Sequence, residues 1–430
     1  MRSFDEPVRV LLDSQCNWAS GVVFCETLYV RHWPRVRILI LHSRYRSGLI
    51  SGENRVVAEE ANLLRRGGHE VEVIAPSPDE FRRATLAARS LNSFGIGRVV
   101  ANRVRASGAE IVHCHNLYPA FGAGVLRDAE RSGAAVVVTL HNYRFMCLAG
   151  TFFRDGRVCQ DCLGRLPWPG VIHACYRESR SESAVLAGSL VNARVSRRLS
   201  SVHRFFAVST FVREKHVEAG FPEERILVKP NFVPEQTQRS GPGTYFLVLS
   251  RLSVEKNISE IVSCWDKDLG ELRIAGDGPE LAELERLGAG RDVQFDGAVS
   301  PEEIPSLLTG ARALLVPSSC FEGQPRVVLE AYAAGVPVIA SRIGGLAEAV
   351  IEDETGITVQ PGDRKAWRSA VQQFADDRLS VRLGDGARSL WRARFSPRSG
   401  LTMLEAGYDE ALYERNRSQH EDGPFAEHRD

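Results

Sequence analysis

The chain has 430 residues, 43% hydrophobic and 25% charged, with 37 Gly and 20 Pro, an ordinary globular composition that excludes collagenous, coiled-coil and wholly disordered architectures and leaves room for two domains. Its 54 Lys plus Arg balance 54 Asp plus Glu, so the net charge gives no reason to expect a nucleic-acid partner. No run approaches eighteen uninterrupted apolar residues, and the first thirty carry Arg2, Asp5, Glu6, Arg9, Asp13 and Glu26, so neither a membrane span nor a secretory leader is expected and the cytoplasm is the expected compartment.

Residues 1–34 hold one short strand-like run, VRVLLD, then a mixed segment with Cys16, Trp18, Cys25 and Trp33, and they read as an N-terminal appendage. A regular rhythm follows over 35–230. It runs through VRILILH, an amphipathic stretch from Arg55 to Arg66 closed by Gly67-Gly68, VEVIAP, an apolar helical pattern through Leu86 and Val104, and EIVHCH. It continues with a helix before Gly133, AAVVVTL, an irregular insertion at 141–176, a helix near Ala184 to Leu199, RFFAVS, a helix closing at Gly220, and ILVKP. Short continuous Val/Ile/Leu runs between helices predict a parallel sheet covered on both faces. A Pro- and Gly-bearing linker, 231–242, leads into a second rhythm over 243–396: YFLVLS, LRIAG, VQF, ALLVPS and PVIAS, alternating with helices. A last helix, 397–414, is expected to pack back on the first lobe, ahead of a polar tail at 415–430. The expected fold class is therefore α/β, with two Rossmann-like parallel-sheet lobes facing a central cleft lined by the loops at their strand ends.

Several motifs fall on those loops. Glu322 follows ALLVPS, and Glu330 comes eight residues later on the next helix. Carboxylates at a cleft can accept strong hydrogen bonds from sugar hydroxyls, although two solvated surface Glu fit the spacing as well. Arg251 and Lys256 in RLSVEKN stand beside a helix start at Asn257, which suits a diphosphate or an ordinary charged helix start. Gly276-Asp277-Gly278-Pro279 is a turn that either approaches a nucleotide or simply opens a helix. In lobe one, HSRYRSGLISGEN places Gly48, Ser51 and Gly52 before a helix, where backbone N–H groups could meet a phosphate or an acceptor; no GxGxxG is present, so the dinucleotide fingerprint is missing. His141 ends AAVVVTL and fits either a structural hydrogen bond or a cleft role, while His113 and His115 fit the structural role. Cys147, Cys159, Cys162 and Cys175, four of nine Cys, crowd into the insertion around a CxxC pair, a pattern open to a structural zinc or to packed or redox-active thiols.

Taken in order, SGENRVVAEEANLLRRGGHEVEV, TLHNYRFMC, VKPNFV, LSRLSVEKN, AGDGP and EGQPRVVLEAYAAGVPVIASRIGG followed by ETGITVQPGD resemble the family-4-type retaining glycosyltransferases (glycosyl transferase group 1) of GT-B fold. The resemblance covers about Val36 to Asp363. It implies that Glu322 contacts the transferred sugar, Glu330 the nucleotide ribose, and Arg251 and Lys256 the diphosphate. His141 matches the cleft His near the donor sugar and Gly52 the glycine-rich first loop, although SGEN stands where many relatives carry a double Gly. The implied catalytic set is Glu322, His141, Arg251 and Lys256, and the donor-binding set adds Glu330, Gly323, Gln324 and Gly52. The Cys-bearing insertion looks like that of a subgroup often associated with bacterial surface polysaccharides. The resemblance thus implies hexosyl transfer from a nucleotide-sugar to a saccharide or lipid-linked acceptor, without a required cofactor. Alternatives are a nucleotide-sugar epimerase of the same fold and a non-catalytic nucleotide-sugar-binding subunit.

Charge is divided between the lobes, with a net of +11 from Arg35 to Pro230 and −10 from Gly243 to Asp430. Part of this difference attracts one lobe to the other. The remaining basic face of lobe one is expected to dock, weakly and peripherally, on an anionic membrane surface.

Overall fold

Val, Ile, Leu and Phe runs build the first sheet in the computed structural model, which describes residues 33–45 and 52–421. Gly48, Ser51, the expected appendage apart from its last two residues, and the end of the tail lie outside the described residues. Lobe one contains β1 (Arg37–Leu41), β2 (Glu70–Ile74), β3 (Ile111–Cys114), β4 (Ala135–Leu140), a small hairpin of β5 (Phe153–Arg154) and β6 (Arg157–Val158), then β7 (Arg204–Ala207) and β8 (Ile226–Val228). The sheet order is β2-β1-β3-β4-β7-β8, parallel throughout, with Leu39 opposite Val112 and Val138 opposite Phe205 in the register.

Alternate residues of single strands join different cores, which is what burial of both sheet faces requires. Leu39, Leu41 and Val112 pack on one face with Val100, Leu126 and Leu186. Ile38, Ile40 and Ile111 pack on the other with Val57, Leu64, Leu404 and Tyr408. The last two come from the C-terminal helix, Pro397–Glu421, so the chain end completes the first lobe. This helix continues past the expected end at 414, because Arg415 still reaches the carbonyl oxygens of Glu110 (3.4 Å) and Gly133 (3.3 Å) and a polar sequence is no obstacle to a solvated helix.

Lobe two contains β9 (Tyr245–Leu249), β10 (Leu272–Ala275), β11 (Val293–Gly297), β12 (Ala311–Val316), β13 (Val338–Ser341) and β14 (Gly356–Val359), in the order β11-β10-β9-β12-β13-β14. Chain direction across the sheet reverses between β9 and β12, and a crevice at such a reversal, beyond the carboxyl ends of the strands, is where doubly wound sheets bind ligands. The linker does not hang free. Arg239 is buried and donates to the carbonyls of Pro242 (3.0 Å), Ala311 (3.1 Å) and Arg312 (3.1 Å), strapping the linker to lobe two.

Candidate active site

The loops leaving β9 and β12 flank the reversal and carry the residues singled out above. Lys256 ends a short 3₁₀ turn, Val254–Lys256, and its Nζ lies 2.5 Å from Glu322 Oε1. Ser318 Oγ donates to the same oxygen over 2.7 Å. Burial alone lowers the Lys256 pKa, but the adjacent carboxylate outweighs it and the net shift is upward; burial raises that of Glu322, and the ammonium reverses it to a net lowering. Both groups are therefore charged at neutral pH. Arg251 is exposed and, among the described residues, has no ion-pair partner. The helix after Asn257 is only Ile258–Cys264, and Asn257 itself sits at φ 51°, so the side-chain cations, more than a long array of helix N–H groups, supply positive potential here. Gly276 lies against this loop: a Cβ on it would stand 1.9 Å from the Ser250 carbonyl oxygen, which accounts for the glycine without a ligand.

Lobe one meets this loop through His141. A Cβ on Gly323 would lie 3.1 Å from the His141 carbonyl oxygen, so the two strand-end loops are in contact. His141 Nε2 is 2.8 Å from His115 Nδ1, His115 Nε2 is 3.3 Å from Glu60 Oε1, and Glu60 Oε2 accepts from Lys229 Nζ over 2.9 Å. A buried polar chain thus runs from Lys229 to the cleft. His113 joins it, with Nδ1 3.1 Å from Glu60 and 2.8 Å from the Tyr408 hydroxyl, and Nε2 2.7 Å from Thr139 Oγ1. Burial would raise the Glu60 pKa, but Lys229, His115 and His113 hold it well below the usual carboxylate value. Glu60, His113 and His115 bring their ligand atoms within 4.8 Å of one another, the one such group among the described residues. The Lys229 ammonium supplies a cation to this cluster through Glu60 Oε2, while Glu60 Oε1 and His115 Nε2 are buried without a well-aligned hydrogen bond.

Burial pushes His115 and His141 down to about 3, and His216 to about 4. All three imidazoles are neutral in the folded chain at neutral pH, whereas in the unfolded chain they titrate near ~6.5. Because the folded values lie below the unfolded ones, the unfolded state takes up protons that the folded state refuses, and stability falls as pH drops below about 6.5. The urea midpoint at about pH 5 should lie clearly below that at about pH 7.5, with no matching loss toward pH 8.5. An equal midpoint at both acidic and neutral pH would contradict the burial of these rings.

Glu330 lies on the helix Arg326–Ala333 and is buried. Its Oε1 is 2.8 Å from Arg326 Nε and 3.2 Å from an Arg55 terminal nitrogen. Arg326 also makes a two-pronged pair with Glu59, 2.7 Å at each prong, so the helix Gly52–Arg66 of lobe one is clasped to lobe two. Sequence reasoning missed Arg55, Glu59 and Arg326. The four-residue spacing within Arg55/Glu59 and Arg326/Glu330 was there to be read; the link between the two helices was not. Gln324, expected at the donor, spends its Oε1 on the Asn231 backbone N–H at 2.7 Å. Gly52 opens its helix, and a Cβ there would meet nothing within 4 Å, so local packing does not demand the glycine.

Beside the Lys256 turn lies a cavity of about 420 Å³, lined by Ser253, Asn257, Ser319 and Gly362 of lobe two and by Gly156 and Val158 of the insertion hairpin. Glu322 and Glu330 stand outside its lining. Cys147, Cys159, Cys162 and Cys175, all free thiols, line one separate small cavity within the insertion.

Comparison with known proteins agrees with this architecture. The family model for Glycosyltransferase Family 4 matches residues 50–237, and that for glycosyl transferases group 1 matches residues 231–390. Glycogen synthase of Mycobacterium tuberculosis is 26% identical over 378 residues, which is 80% of this chain and 86% of that protein. The sulfoquinovosyl transferase SQD2 of Arabidopsis thaliana is 34% identical over 156 residues, a match spanning 34% of this chain and only 30% of the plant protein. Among solved structures, Anabaena HepE in complex with UDP aligns with a TM-score of 0.59 at 17% identity, covering 86% of this chain and 99% of that one. Sucrose-phosphate synthase from Thermosynechococcus elongatus aligns at 0.61 and 18% identity, covering 90% and 100%. Two lobes of GT-B fold, matched one after the other by the two family models, make this chain a group 1 glycosyltransferase.

Proposed function

We propose that this chain moves a sugar from a nucleotide-sugar donor to a saccharide or lipid-linked acceptor with retention of anomeric configuration, in the assembly of a cell-surface polysaccharide or glycolipid. The observation that carries this reading is the Lys256–Glu322 ion pair at the β9/β12 reversal, in a loop that touches the His141 loop of lobe one. Arg251 and Lys256 stabilise the diphosphate as it takes up charge on leaving, a role fixed cations perform with little reorganisation. Glu322 orients a hydroxyl of the transferred sugar and holds Lys256 in its protonated form. Both recorded contacts of Glu330 fall on Oε1, leaving Oε2 to accept from a ribose hydroxyl. His141, neutral and fixed through Nε2, presents Nδ1 to the sugar.

The UDP bound by HepE supports a nucleotide-sugar as donor. The basic excess of lobe one, with Trp168 and Ile172 exposed by 57% and 63% on the insertion, supports an acceptor met at an anionic membrane surface, and no helix among the described residues is long and apolar enough to cross a membrane. Thermal unfolding of the purified chain against a nucleotide-sugar panel tests the donor: one member should raise the transition by several degrees at saturation. The selected donor, incubated with acceptor extracts presented on anionic and on neutral vesicles, then yields a product whose anomeric configuration is read by NMR. Protection by no nucleotide-sugar rejects the donor reading, an inverted anomer rejects retention, and equal transfer on both vesicle types rejects the membrane partner.

A further inference from the structure

The insertion leaves lobe one after β4 and contains little that could hold its own shape. Its regular structure is a hairpin with two residues in each strand and a five-residue helix, Trp168–Ile172. Phe152, Asp155 and Ala174 all adopt left-handed backbone, with φ near 50°. A hairpin this short is not stable in water by itself. Yet its four cysteines converge: Cys147 before the hairpin, Cys159 immediately after β6, Cys162 three residues on, and Cys175 beyond the short helix all line one cavity together with Leu148, Phe152 and Gly170. That cavity is about 20 Å³, room for a single ion or one water.

We propose that Cys147, Cys159, Cys162 and Cys175 bind one zinc ion, and that this ion fixes the hairpin as a wall of the 420 Å³ cavity. Four thiolates are a complete tetrahedral set for zinc, with sulfurs at ~2.3 Å from the metal and hence roughly 3.8 Å from each other. Among the described residues, no three of these sulfurs already stand within 4.8 Å of one another, so binding draws the four inward around the cavity. Asp161 and Gly170 line the same cavity beside the cysteines, where their backbone N–H groups can supply the outer hydrogen bonding that orients ligands and moderates the charge of a thiolate site. Arg154 and Asp161, 3.3 Å apart, also stand on the cavity wall, and the guanidinium is shared with Asp155. With four protein ligands the metal has no open position, so its role is structural.

The reach of the site follows from what the hairpin touches. Gly156 in its turn and Val158 in β6 face the cavity opposite Ser253 and Asn257. Phe152 packs edge-on against Phe321 at 6.3 Å, directly before Glu322. Gln160, between two of the ligands, accepts from Lys215 Nζ at 2.8 Å, and Lys215 lies 5.8 Å from the Phe321 ring centre. Losing the metal therefore frees one wall of the cavity and the side chains that hold the approach to Glu322. Neither the metal nor the wall rests on the donor reading above.

Elemental analysis of the full chain purified without chelator should give one zinc per chain, and mercurial treatment should release it while exposing the four thiols. Cys159→Ser and Cys175→Ser should each reduce zinc to background, and Cys264→Ser, outside the insertion, should leave it at one. Should the serine variants fail to fold, the wild-type chain still decides: zinc absent with all four thiols reacting freely, a different metal, or disulfides found by mass spectrometry would each overturn the site. The wall is tested by trypsin, since stripping the metal should speed cleavage after Arg154 and Arg157 at least ~10-fold as local opening becomes easier. An unchanged cleavage rate in the stripped chain would overturn the wall.

Discussion

Lys256→Ala is expected to lower donor turnover on the order of 100- to 1,000-fold, the effect of removing one fixed group that stabilises charge developing in the transition state. The loss should fall on kcat more than on KM, because an ammonium beside a leaving diphosphate matters most once the glycosidic bond has begun to break. The same substitution leaves Glu322 without its partner. With side-chain exposures of 26% for Lys256 and 14% for Glu322, the pair is only partly desolvated, so the accompanying loss of stability should be about 1–3 kcal/mol, less than for a fully buried pair. Arg251→Ala separates the two effects, since its exposed guanidinium has no ion-pair partner among the described residues; turnover should fall and stability should stay within ~0.5 kcal/mol. Steady-state kinetics on the donor chosen by the nucleotide-sugar panel, together with urea unfolding of each variant, measure both quantities. Wild-type turnover in both variants would remove the diphosphate assignment.

Much of the fold was legible because central strands are runs such as ILIL or AVVV that only a sheet covered on both faces can bury. The order of Arg251, Lys256 and Glu322 behind those runs also put them in strand-end loops, with Glu330 on the helix that follows. What could not be read is contact between distant segments. Nothing in SGENRVVAE or GQPR announces that Glu59 and Arg326 meet, and a lone His115 gives no hint that it lies between His141 and Glu60. Gln324, expected at the donor, also holds the linker through its Oε1 at the Asn231 backbone N–H, a contact its place in the loop did not announce. The four Cys lay between these cases, since their spacing suggested a site and only the fold around them could gather them at one cavity.

Glu60→Ala is expected to destabilise the chain by about 3–5 kcal/mol, the range for stranding one member of a buried ion pair. Glu60 has no exposed side-chain surface and Lys229 only 2%, so without the carboxylate the ammonium has neither water nor a counter-charge, and two neutral imidazoles cannot replace it. Lys229→Met should cost a similar amount for the opposite reason. Glu60→Leu combined with Lys229→Met removes both charges and fills the space, so it should recover most of the loss, whereas independent contributions would add. The double variant also separates stability from function. It restores an apolar core but not the carboxylate 3.3 Å from His115 Nε2, so the negative charge that favours a proton on that nitrogen, and through it the orientation of His141, is lost. Activity should therefore stay depressed, by roughly 10-fold or more, the scale on which outer hydrogen-bond partners of a site act, even where the urea midpoint returns to near the wild-type value. Recovery of both together would mean that the buried chain from Lys229 to His141 serves only to hold lobe one together; recovery of stability alone would mean that it also sets the ring that faces the cleft.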